Sequence, residues 1–170
     1  MVPVLLVTGP IGVGKTVVLH EADALLIEAG VRHATVELEE IARCWPDAIE
    51  GSRKAFVYRN LAALWPSFVA VGATRLLVSD LVEQRSDLRL VSEAIPGAAV
   101  TVVRLHASLS TLEQRIRRRE PASPDGDLAG ARWWARHFDE MRVEDHLVET
   151  EKRPVDEIAR EVLRRAGWLS

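Results

Sequence analysis

At 170 residues and 48% hydrophobic content, the chain is long enough to bury one core and short for two, so a single domain spanning residues 1–170 is expected. A formal charge of −3 gives no general pull toward nucleic acid, whose non-specific binding rests on phosphates neutralised by Lys and Arg. The lone cysteine, Cys44, excludes an intramolecular disulfide, and the five histidines lie too far apart for a metal-ligand pattern, usage that fits a reducing cytoplasm.

In chain order, residues 2–7 form a continuous apolar run that enters Gly9 directly, with no basic region before it. The run reads as a buried strand rather than a signal peptide. A helical pattern over 15–29 ends at Gly30. Residues 33–39 alternate, with Ala34, Val36 and Leu38 inward and Thr35, Glu37 and Glu39 outward, which predicts an edge strand. A second helix over 53–71 stops at Gly72; its apolar part is interrupted by Pro66, Ser67 and Gly72 and is too short for a membrane span, which needs roughly 18–20 residues. No membrane partner is expected.

A buried strand over 74–79 precedes a helix over 81–94 that ends before Pro96-Gly97, and a further strand covers 99–106. Ser108 or Ser110 caps a helix over 110–119. Residues 120–130 hold two prolines and two glycines and are predicted to form a mobile loop. A helix over 131–142, a short strand over 146–150 and a helix over 155–166, stopped by Gly167, complete the chain. Strand and helix alternate throughout, the pattern of an α/β domain with right-handed crossovers.

The chemistry begins at the first strand–helix junction. Gly9-Pro10-Ile11-Gly12-Val13-Gly14-Lys15-Thr16 satisfies G-x-x-x-x-G-K-[ST], a phosphate-binding loop. The glycines let the backbone turn so that successive N–H groups, with the positive end of the following helix, enclose a phosphate chain. Gly9, Gly12, Val13, Gly14, Lys15, Thr16 and Val17 are the nucleotide-contacting candidates; Lys15 would reach the outer phosphates and the Thr16 hydroxyl would hold Mg²⁺.

The loop, the chain length and the strand–helix order resemble the small P-loop kinases, among them the shikimate, gluconate and adenylylsulfate kinases and the chloramphenicol phosphotransferase group. The resemblance implies a three-layer α/β fold with a five-stranded parallel sheet in order 2-3-1-4-5 and a helical lid, here about residues 115–131. It also implies ATP, Mg²⁺ and phosphoryl transfer to a small-molecule acceptor.

Further candidates are read against that pattern. Leu112 to Glu120 is similar to the kinase segment in which lid arginines follow a leucine; Arg115 and Arg119 share a helical face and would close over the nucleotide, while Arg117 and Arg118 read as surface residues. Leu76-Leu77-Val78-Ser79-Asp80 resembles a Walker B strand. Asp80 is a candidate Mg²⁺ holder, general base or simple helix cap before Leu81. Glu39 stands where the small kinases carry an aspartate that positions or deprotonates the acceptor. In the helix over the substrate side, Arg53, Arg59 and Asn60 are the polar acceptor-binding candidates, with Trp45 and Trp65 as pocket walls and Trp133, Trp134 and Trp168 as packing residues. Residues 149–154 occupy the place where such kinases run a loop past adenine.

Two other classes compete. Guanine-specific switches resemble one another in N-K-x-D, whereas the only asparagine here, Asn60, is followed by Leu61; the L-S-G-G-Q signature and extra helical domain of motor ATPases are also missing. A protein that binds or hydrolyses ATP without transferring phosphate is the alternative, motivated by glutamate in place of aspartate at position 39. No motif names the acceptor or an oligomeric state.

Overall fold

The computed structural model describes residues 1–45, 52–119 and 125–169. Five strands, β1 (Val2–Thr8), β2 (Ala34–Glu37), β3 (Leu76–Ser79), β4 (Ala98–His106) and β5 (His146–Glu149), form a parallel sheet in the order β2-β3-β1-β4-β5. The order is the expected one, and β2 stands at an edge as its alternation requires. The helices are α1 (Lys15–Glu28), α2 (Arg53–Ala70), α3 (Leu88–Ala94), α4 (Leu109–Arg119), α5 (Asp125–Met141) and α6 (Val155–Arg165).

β1 is apolar on both faces because both are covered. Val4 and Leu6 join a core with α2, α3 and Phe138 of α5, while Leu5 and Val7 join one with α1, α6 and Leu112 of α4. The result is three layers. Among the described residues, no helix is long and apolar enough to cross a membrane.

Two segments depart from expectation. Residues 81–94 were expected to form one helix, but only Leu88–Ala94 is α-helical, preceded by a single 3₁₀ turn at Arg85–Asp87. Asp87 stops the helix from extending backward: its carboxylate accepts the Gln84 N–H and pairs with Lys54 at 2.5 Å, holding the chain open there. Asp80 is therefore no helix cap, since no helix starts at Leu81. The expected loop over 120–130 falls partly outside the described residues, and from Asp125 onward it is helix. Asp125 and Asp127 place negative charge in the first turn, favourable to the helix dipole, and Leu128, Ala131 and Phe138 bury one stripe. Gly130, which resembles loop punctuation, is a contact residue: a Cβ there would lie 2.8 Å from Ile11 Cδ1, so glycine lets α5 approach the phosphate loop.

Truncation should separate core from surface. Leu6→Ala, at a side chain with no exposure in the central strand, should cost about 2–5 kcal/mol in urea unfolding. Ile27→Ala, at a residue 65% exposed, should stay within about 0.5 kcal/mol of the parent.

Candidate functional site

The ladder sets the site's position. Val7 pairs with Ser79 and Glu37 with Ser79, so β1, β2 and β3 end together at their carboxyl ends. The Asp80 N–H donates to the Val7 carbonyl at 3.2 Å and Leu38 N–H to the Ser79 carbonyl at 3.2 Å. This draws Gly9, Asp80 and Glu39 to one crevice, the usual ligand position in such sheets.

The phosphate loop is built as its sequence requires. Gly9, Gly12 and Gly14 all take positive φ, at 141°, 85° and 104°. At Gly9 a Cβ would lie 2.6 Å from the Leu105 carbonyl oxygen, so any other residue would push the loop off β4. Lys15 Nζ donates to the Gly9 carbonyl at 2.9 Å and reaches that of Pro10 at 3.4 Å. Burial pulls the Lys15 ammonium down to about 8; Glu39, Asp80 and Glu37 counter that shift, and Arg119 adds to it.

Two cavities open on this crevice. One, of about 540 Å³, is lined by Gly12, Gly14, Lys15 and Thr16 together with Arg115 and Arg119. The other, of about 480 Å³, is lined by Asp80, Tyr58, Lys54, Arg53, Glu83 and Trp134 among others. Glu39 and Leu81 line both, so the cavities meet at the end of β2 and β3.

Asp80 lines the second cavity beside that junction. Its Oδ2 accepts the Tyr58 hydroxyl at 2.6 Å and its Oδ1 accepts the Leu81 N–H at 2.8 Å. Burial raises its pKa, against the lowering effects of those two bonds and of Lys54 and Lys15. The Tyr58 hydroxyl is itself pushed far up, first by burial and then by the Asp80 charge, and so serves as a donor.

The lid candidates both reach the first cavity. Arg115 donates to the Val13 carbonyl at 2.9 Å and to Thr150 Oγ1 and carbonyl at 3.1 and 3.0 Å, tying the phosphate loop to the turn after β5. Arg119 pairs with Asp127 of α5 at 2.6 Å. Arg117 pairs with Glu113 on the surface, and Arg118 is exposed.

The acceptor-side candidates separate. Arg53 lines the second cavity, its Nη2 donating to the Ala42 carbonyl at 3.3 Å. Arg59 lies over the Phe56 ring and Asn60 donates to the Ile41 carbonyl at 2.8 Å, and neither lines that cavity. Among the tryptophans the expectation inverts: Trp45 is 92% exposed and Trp65 is core, whereas Trp134 walls the cavity.

Three residues went unassigned in the sequence. Glu37 accepts the Thr16 hydroxyl at 2.7 Å and lies 3.1 Å from His20. The sequence predicts a strand over 33–39 with Glu37 and Glu39 on one face, but β2 ends at Glu37 and Glu39 stands in the turn beyond it, so only Glu37 follows the alternation. Lys54 and Tyr58 are four apart on α2, hence on one face, but nothing local revealed that Asp80 lies opposite.

The donor set suits a hard cation. Thr16 offers a hydroxyl beside the Glu37 carboxylate, and the neighbouring Lys15 feels the charges of both Glu37 and Asp80, while among the described residues no three His, Cys, Asp or Glu converge to hold an ion unaided. That matches Mg²⁺, which takes one or two protein oxygens and completes its shell with phosphates and water.

No protein-family model matches the sequence, and no curated protein matches it. Solved structures do. The chain is 19% identical to a Deinococcus radiodurans tunicamycin resistance protein, with a TM-score of 0.69 over 100% of this chain and 98% of that one. It is 22% identical to a gluconokinase from Sinorhizobium meliloti 1021, with a TM-score of 0.63 over 97% and 91%. It is 18% identical to a Mycobacterium tuberculosis APS kinase solved with AMPPNP and APS, with a TM-score of 0.62 over 98% and 98%. The chain has the α/β fold of the P-loop small-molecule kinases.

Burial that holds Lys15 down to about 8 would make the binding of a polyanion there depend on protons: above that pH the ammonium loses its proton, and a polyanion seated beside it would restore the charge. Inorganic tripolyphosphate should therefore bind with proton uptake at pH 8.5 and little at pH 6.5, read from how calorimetric heats vary with buffer ionisation enthalpy, and its affinity should fall as pH rises past about 8.

Proposed function

We propose that the protein is an ATP- and Mg²⁺-dependent phosphotransferase acting on a small-molecule acceptor in the cytoplasm. The observation that carries this reading is the two-chambered crevice: a phosphate-loop cavity and a second cavity holding Asp80, with Glu39 and Leu81 common to both. A protein that only bound nucleotide would have no need of the second chamber. The exposed, free Cys44 supports the compartment.

Lys15 and the loop N–H groups hold the polyphosphate, and Arg119 stands at the same cavity to stabilise charge on the transferring group. Arg115, bound to both the loop and the turn after β5, keeps the nucleotide chamber in shape. Thr16 and Glu37 are the residues that would hold Mg²⁺, joined by Asp80 where Glu39 rather than Asp80 is the base; the ion when bound neutralises charge on the phosphates. The acceptor oxygen bonds to the γ-phosphorus as the bond from that phosphorus to ADP breaks, and the hydroxyl proton passes to a carboxylate. Asp80 suits that role, because burial raises its proton affinity and Tyr58 fixes its orientation. Glu39, at the junction, is the other candidate. Closure of residues 115–131 over the site would exclude water.

Glutamate at 39 supports a second reading, ATP binding or hydrolysis without transfer. The test is ADP release with ATP and Mg²⁺ against a broad acceptor panel of sugars, nucleosides and antibiotics. Acceptor-stimulated release with a phosphorylated product is expected, Lys15→Ala should lower kcat/KM at least about 100-fold, and Asp80→Asn should lower kcat by about 10²–10⁴-fold. ATP turnover that no acceptor stimulates would favour the second reading.

A further inference from the structure

The charged groups of the second cavity are unequally engaged. Its three cations all have partners: Lys54 pairs with Asp87 at 2.5 Å, Arg43 with Glu40 at 2.6 Å, and Arg53 donates to the Ala42 carbonyl. The Tyr58 hydroxyl is given to Asp80. Its carboxylates make fewer direct contacts, although Glu39 and Asp80 both feel the charge of Lys15 and Asp80 that of Lys54. Among the described residues neither Glu39 nor Glu83 makes an ion pair, and Asp80 keeps lone pairs beyond the two bonds it accepts.

The uncharged wall is equally selective. Leu38, Val57, Leu81 and the half-buried Trp134 line the same space. A sugar acid or open-chain polyol seated there would turn several hydroxyls toward carbon and lose their water without replacement. Its carboxylate would meet Asp80, Glu39 and Glu83, while Lys54 and Arg43 are already ion-paired. A flat ring, in contrast, finds an aromatic surface in Trp134, and O–H or N–H donors find carboxylate acceptors.

Trp134 and Glu83 belong to one wall. His137, one turn beyond Trp134 on α5, shares a 2.7 Å hydrogen bond with the Glu83 carbonyl, which fixes α5 against the segment that presents the Glu83 side chain. The aromatic surface and the carboxylate are thus held in fixed relation.

Resting on the phosphotransferase reading, we infer that the acceptor is a neutral or cationic hydroxyl-bearing molecule with a flat apolar face: Trp134 receives the ring, Glu83 and Glu39 receive its donors, and anionic acceptors are rejected. Arg53 and Arg59, read in the sequence as acceptor-binding candidates, are then not the groups that select the acceptor.

The experiment uses four probes on the full chain with ATP and Mg²⁺: phenylalaninol (cationic), 3-phenylpropane-1,2-diol (neutral), 3-phenyllactate (anionic, same ring) and D-gluconate (anionic, no ring). The amino alcohol and the diol should each exceed both anions in kcat/KM by about tenfold or more. Glu83→Lys, at an exposed position, should reduce the phenylalaninol-to-phenyllactate ratio at least about fivefold. Trp134→Ala should raise KM for the diol by about fivefold or more, and Trp134→Phe should recover most of it. If no probe is phosphorylated, the same comparisons are read by calorimetry with AMPPNP and Mg²⁺. Binding with the expected charge preference but no product would count against the phosphotransferase reading and uphold the inference. Preference for phenyllactate or gluconate, a ratio unmoved by Glu83→Lys, or no binding of any probe would overturn the inference, whatever other acceptors are phosphorylated.

Discussion

The parallel pairing of β1 with β3 is the constraint on which the rest of the molecule depends. It aligns Val7 with Ser79 and lets the Asp80 N–H bond the Val7 carbonyl, so the phosphate loop and the Asp80 carboxylate emerge from the sheet side by side. Neither strand can slip, because β1 and β3 are buried on both faces and a shift of one residue would exchange the side chains of two separate cores. Rigidity in the sheet becomes precision at the crevice.

On that frame the electrostatics are arranged against solvation. Lys15 is buried among the carboxylates of Glu39, Asp80 and Glu37, and burial outweighs their attraction enough to lower its pKa. Among the described residues its ammonium bonds to the loop carbonyls of Gly9 and Pro10, neutral partners weaker than an anionic oxygen would be. Asp80 experiences the opposite pull: burial favours its neutral form, and Tyr58, Lys54 and Lys15 offset it. The loop lysine and the Asp80 carboxylate are thus coupled, and a change at one alters the proton affinity of the other.

Helix α5 joins the two chambers. Ile11 of the phosphate loop packs against a small cluster of Ile116, Leu128 and Ala131, while further along α5 Trp134 walls the second cavity and Phe138 enters the main core. Gly130 permits the closest of these approaches. Asp127 meets Arg119 at the opening of the first chamber. Movement of α5 would therefore be felt at the phosphate loop, at Arg119 and at the wall of the second cavity together.

The sequence determined the parts of this protein whose causes are local. Apolar runs specified buried strands, glycines marked helix ends, and the spacing Gly9 to Thr16 specified a phosphate loop because eight consecutive residues make the whole cradle. The two-residue alternation of β2 specified its edge position, but the strand ends at Glu37 and leaves Glu39 to the following turn. What lay beyond it was every pairing across the chain. That Tyr58 reaches Asp80, that Lys54 bonds Asp87 and thereby keeps 81–84 out of a helix, that Trp134 rather than Trp45 walls the second cavity, and that Gly130 is a contact and not a turn, all depend on elements far apart in sequence. Arg53, Arg59 and Asn60 look equivalent on paper, and only packing sends the first to the cavity and the other two to a ring and a carbonyl. A periodic pattern tells which face of an element is buried; what that face meets is decided when the layers close, because contact is a property of two elements and a sequence window describes one.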